Sequence, residues 1–140
     1  MNPEFWAEII DKLQKVSGPE KLGFEPQDGV GVDNHGSMIW TCIRREEVMN
    51  RWARFALTEK PMFQFPTLCE VEIYAGADNS DRYTNLRLRS YGLSSRMVKE
   101  KIDDDFAPAF VEAMERAKAI QPEDLEQRYP NYRVLPHGLI

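Results

Sequence analysis

Between residues 83 and 92 the sequence runs YTNLRLRSYG. In an extended strand, where successive side chains alternate between faces, Tyr83, Asn85, Arg87, Arg89 and Tyr91 would share one side. Thr84, Leu86, Leu88 and Ser90 would share the other. Rings interleaved with guanidinium groups suit a binding surface, because the ring supplies area to bury and the cation sets orientation. Tyr74, in the preceding apolar-alternating stretch TLCEVEIYA, joins this set. The expected partner-binding residues are therefore Tyr74, Tyr83, Arg87, Arg89 and Tyr91.

A second cluster follows. The run from Arg87 to Lys101 carries Arg87, Arg89, Arg96, Lys99 and Lys101 against Glu100 in a chain whose net charge is −5. With two hydroxyls as extra donors, Ser94, Ser95, Arg96 and Lys99 form a candidate anion site for a nucleotide phosphate or an acidic metabolite. The plainer alternative is a solvated connector whose charges offset Asp103 to Asp105.

Other chemistry finds less support. His35 stands in a turn beside Asp33 and Asn34, and His137 stands near the end, with no paired ligands at metal-binding spacing, so no metal is expected. The acidic residues around Asp28, Asp33 and Asp78 to Asp81 lack the ordered loop of a calcium site. Gly29 and Gly31 precede no phosphate loop. Cys42 with His35 is conceivable as nucleophile and base only if an early hairpin joins them, and Cys42 is then expected to face the core. No catalytic residue and no cofactor are assigned.

Several elements must position the tyrosines and arginines. Asn2, Pro3 and Glu4 mark a helix start, Gly18 and Pro19 its stop, and Phe5, Trp6, Ile9, Ile10, Leu13 and Val16 form its apolar stripe. That stripe covers either the chain's own core or a second copy in a homodimer. Residues 18–37 are turn-rich, and a strand is expected from Met38 to Ile43. From Arg45 to Leu57 the spacing of Val48, Met49, Trp52, Phe55 and Ala56 predicts a helix. Strands at TLCEVEIYA and at residues 83–91 form a hairpin, with Tyr74 opposite Tyr83, Glu72 opposite Asn85 and Glu70 opposite Arg87. A register two residues further along pairs Glu72 with Arg87 and Glu70 with Arg89. Three aspartates open a helix over residues 106–120; a short helix at 121–130 and a strand at YRVLP close the order.

Together these predict one α+β domain over residues 1–140: an antiparallel sheet with helices packed on one face, in a ferredoxin-like βαββαβ order with an extra N-terminal helix. In the competing arrangement, an early hairpin from Val30 to Ile43 makes the sheet a meander.

Composition bounds function. At 140 residues and 42% hydrophobic content the chain can build one sizeable core. The acidic balance repels phosphate backbones, so nucleic acid is a disfavoured partner. The absence of a signal pattern or of about 18 consecutive apolar residues predicts a protein that is neither exported nor membrane-spanning. Cys42 and Cys69 look like buried thiols of a reducing cytoplasm. The expectation is a small acidic cytoplasmic protein without enzymatic activity, a regulator or inhibitor engaging another protein through the open sheet face. The alternatives are a binder of an anionic small molecule and a small enzyme.

Overall fold

The computed structural model describes residues 3–28, 31–32, 36–60, 68–78 and 83–126, with Val32, Tyr83 and Glu126 described by their backbone alone. Helix α1 spans Pro3–Ser17 and ends where Gly18 takes the left-handed conformation, its N–H bonded to Gln14 O at 3.0 Å. Short strands β1 (Glu25–Pro26) and β2 (Gly31–Val32) both pair with the outer edge of β3 (Met38–Arg45). The long strands β4 (Asn50–Lys60), β5 (Leu68–Asp78) and β6 (Tyr83–Ser94) follow, each antiparallel to the last. A one-turn helix α2 (Ser95–Val98) and an irregular turn lead into α3 (Ala107–Ala119). A 3-10 turn occupies Pro122–Glu126.

The fold class is therefore α+β, with helices on an antiparallel sheet. The order β1-β3-β4-β5-β6 is a sequential meander, with β2 also on β3. This corrects the expected βαββαβ order, because the helix read over Arg45–Leu57 is a strand. β4 lies mid-sheet: Arg51, Ala53, Phe55 and Leu57 face the helices and are buried, while on the opposite face Trp52 and Ala56 are buried and Arg54 and Thr58 half-buried. Large apolar residues on both faces blur the polar alternation of a strand, and Trp52, Phe55 and Ala56 fall by chance at helical spacing. Pairing with β3 and β5 decides the matter. The early hairpin of the competing arrangement is represented by β2 on β3.

One face of the sheet carries the core. Trp6, Ile9 and Leu13 of α1 are buried in the same cluster as Phe106, Phe110, Ala113 and Met114 and the inward residues of β3 to β6. Ring contacts stitch the layers, with Trp40 stacked on Phe110 at 5.0 Å and Phe55 5.5 Å from Phe106. Most of the α1 stripe is thus taken up by its own chain: Trp6, Ile9 and Leu13 are buried, Phe5 and Ile10 are partly buried against the same cluster, and Val16 is exposed.

Arg51 fixes the end of α3. Its Nη1 donates to Ala117 O at 2.6 Å and Ile120 O at 2.7 Å, and its Nε lies 3.1 Å from Glu46 Oε2. A cation there satisfies helix-end carbonyls and complements the dipole. Glu46 also accepts from Arg44 Nε at 2.7 Å, and this bond holds its carboxyl below the ordinary carboxylate range.

Candidate functional site

The face of the sheet turned away from the helices is organised in cross-strand rows. Arg54 of β4, Tyr74 of β5 and Arg87 of β6 are successive partners in one row, continued by Thr41 on β3. The neighbouring row is Ile43, Trp52, Gly76 and Asn85. Gly76 makes the second row possible. A Cβ at that position would stand 2.2 Å from Trp52 Cζ2, so the glycine leaves room for the indole to lie across the sheet. Trp52 in turn carries the Arg54 guanidinium, whose Cζ is 4.2 Å from the ring centroid.

These rows line a cleft of about 750 Å³, bounded by Ser37, Ile39, Ala56, Thr58, Lys60, Glu70, Glu72 and the Trp52, Arg54, Tyr74, Asn85 and Arg87 group. Two of its cations have partners. Lys60 Nζ lies 2.8 Å from Glu70 Oε1, and Arg87 Nη2 lies 3.7 Å from Glu72 Oε2 while its guanidinium sits 5.6 Å from the Tyr74 ring. Arg54 makes no ion pair among the described residues. Burial pulls its guanidinium below the ordinary value, with Asp78 acting in the opposite direction.

The expected binding face is divided by a bulge. Ile73 pairs with Arg89, but Tyr74 pairs with Arg87, which leaves Leu88 as an extra residue in β6. Beyond it the alternation inverts. Arg89 and Tyr91, expected on the water side, fall on the helix side: Arg89 Nη2 bonds Glu112 Oε1 of α3 at 3.2 Å, and the Tyr91 ring sits 5.1 Å from Phe106. Tyr91 is buried, and burial pushes its phenol up. Both registers expected for the hairpin are corrected too, since Glu72 stands opposite Ser90 and Glu70 opposite Gly92. Glu72 still meets Arg87, as a diagonal neighbour. Tyr74 and Arg87 keep their places on the open face, while the side chain of Tyr83 lies outside the described residues.

The second cluster spans the end of β6, where Ser94 lies, α2, which holds Ser95 and Arg96, and the turn after it, which holds Lys99. Ser94 is buried, Arg96 is exposed, and Lys99 is engaged by α1, paired with Glu8 and 5.4 Å from the Phe5 ring. Cys42 is fully buried, its thiol pushed far up by desolvation, and Cys69 is pushed up to about 11 by the same cause. Neither is poised as a nucleophile at neutral pH. His35, Asp33, Asn34 and His137, and the strand expected at YRVLP, lie outside the described residues. No three His, Cys, Asp or Glu residues are grouped to hold a metal ion among the described residues, and no described helix is long and apolar enough to cross a membrane.

Sequence reasoning missed Trp52 and Arg54. Both fell inside the segment read as a helix, and only the identity of Gly76 in the next strand hints that a large ring crosses it. Comparison with protein families, curated proteins and solved structures finds no match for the chain.

Proposed function

We propose that this protein is a small, non-enzymatic cytoplasmic binding module, a regulator, inhibitor or adaptor, whose protein partner docks on the open face of the sheet. The observation that carries this reading is the row Arg54, Tyr74 and Arg87 beside the Trp52 platform, in a cleft that the described residues leave open. Tyr74 supplies stiff apolar area, buried Trp52 holds the Arg54 guanidinium in place, and the two guanidinium groups select charge and direction. Arg89 and Tyr91 have a structural part here, since both are used against α3 and its approach. Docking would act by occlusion.

A tagged wild-type chain should retain a host protein that the Tyr74→Ala/Arg87→Ala double variant loses, at a melting temperature within a few degrees of wild type, about the effect of surface substitutions. Equal retention by the variant would overturn the reading.

One observation favours a second reading. The volume of about 750 Å³ and an Arg54 without an ion pair among the described residues also suit a nucleotide or other anionic small molecule held in this cleft. A thermal-shift panel of such compounds separates the two, because a ligand that binds the native state alone raises the midpoint.

A further inference from the structure

We infer that the cleft recognises an extended acidic peptide segment, pairing one of its side-chain carboxylates with Arg54 and accepting one of its backbone N–H groups at Asn85 Oδ1. The inference rests on the open face being the docking surface and adds the chemistry of the occupant.

Two independent features point to that chemistry. The first is Arg54. Lys60 and Arg87 already have carboxylates, whereas Arg54 is half-buried and held on the Trp52 ring without an ion pair among the described residues. A fixed planar guanidinium is matched best by a carboxylate or phosphate that accepts two N–H bonds. The second is Asn85. Its Oδ1 is buried and has no hydrogen-bond partner among the described residues, and it lies one strand row from Arg54. A buried acceptor calls for a donor.

The occupant must therefore bring an anion and an N–H or O–H within one cleft. An acidic peptide does both, since its backbone carries donors at every residue and its side chains carry carboxylates. Glu70 and Glu72 line the same cleft, and the chain's net charge is −5, so a dense polyanion such as nucleic acid meets more repulsion than a peptide that sets one carboxylate on Arg54. The volume of about 750 Å³ holds more than a lone anion, and fits the extended segment rather than an isolated ion.

The indole N–H resonances give the test. Trp52 reports on the cleft, while Trp6 and Trp40 sit in the core on the other side of the sheet and serve as internal references. The full chain is titrated with a short capped peptide alternating glutamate and alanine, with its glutamine counterpart, and with AMP. The Trp52 resonance, assigned through Trp52→Phe, should move saturably with the glutamate peptide and at least roughly tenfold more weakly with the glutamine one. Arg54→Gln should weaken the glutamate peptide by a similar factor, Arg54→Lys should restore part of the loss, and Asn85→Ala should weaken both peptides. Unchanged Trp6 and Trp40 resonances establish that each variant is folded.

Equal binding of the two peptides, or undiminished binding to Arg54→Gln, would overturn the inference. A response to AMP alone would also overturn it, by assigning the cleft to small anions. Failure is separable from failure of the docking surface itself. If the Tyr74→Ala/Arg87→Ala variant loses its protein partner while the glutamate peptide leaves Trp52 unmoved, the surface stands and the acidic occupant falls.

Discussion

Substituting Gly76 by alanine tests the architecture of the cleft, because this glycine is where β5 yields to the Trp52 ring. The added Cβ would lie 2.2 Å from Trp52 Cζ2 and 2.4 Å from Thr84 O, short of the 3.0 Å floor for real contacts by 0.8 and 0.6 Å. The indole can tilt away. Thr84 O cannot easily do so, since it belongs to the backbone of β6 within the ladder. The backbone at Gly76 is not left-handed, so alanine gains up to about 1 kcal/mol by restricting the unfolded chain. Overpacking costs about 1–3 kcal/mol against that gain. The expected net loss is about 1–2 kcal/mol, or roughly 4–8 °C in melting temperature. Gly92→Ala is the control, with its nearest heavy atom, Leu68 Cδ1, at 4.0 Å. It should be neutral or stabilised by up to about 1 kcal/mol. Thermal unfolding followed by circular dichroism reads both, and Trp52 emission should change in the first alone. A Gly76→Ala protein as stable as Gly92→Ala would refute the placement of the indole.

Arg51→Ala removes two charge-assisted bonds to the end of α3 and should lower stability by about 2–4 kcal/mol in urea titrations, with Arg51→Lys recovering part of it. The Glu46 carboxyl is held below its unfolded value, first by the bond from Arg44, so its contribution is present above the unfolded pKa of 4.5 and is lost as pH falls through the lower folded value. Glu46→Gln should accordingly weaken the protein at neutral pH and flatten its stability profile below about pH 4.5, measured by denaturant midpoints across pH. Tyr91→Ala should cost about 3 kcal/mol or more as a core truncation, whereas Tyr74→Ala should cost about 1 kcal/mol or less, and equal costs in urea would contradict the inverted faces. Cys42 and Cys69 should react with a thiol reagent at the rate of opening or unfolding, not at the rate of an exposed thiol.

The terminal helices were legible because each announces itself locally. Pro3, Glu4 and Gly18 bracket α1, and its Trp6, Ile9 and Leu13 spacing has one buried side. β5 was legible for the same reason, with Cys69, Val71 and Ile73 inward against Glu70, Glu72 and Tyr74. β4 was not, because pairing with β3 and β5 on either edge decides it, and buried Trp52 and Ala56 interrupt the polar residues of its open face. The single bulge residue Leu88 had a larger effect on the site. Alternation placed Arg87 and Arg89 together, and one extra residue sends them to opposite faces. Nothing local in YTNLRLRSYG marks that position, since Leu86 and Leu88 fit a straight strand equally well. The consequence for the site is an exchange: Arg89 and Tyr91 leave the binding face, and Trp52 and Arg54 enter it.

The most direct measurement of the central claim is site-specific photocrosslinking in the native host, with the reactive side chain placed at Tyr74 in the cleft or at Glu115 on the exposed side of α3. A partner docked on the open face gives a discrete protein adduct from position 74, lost on adding Arg54→Gln and Arg87→Ala, and none from position 115. Adducts from position 115 with none from position 74 would place the working surface on the helices and contradict that claim.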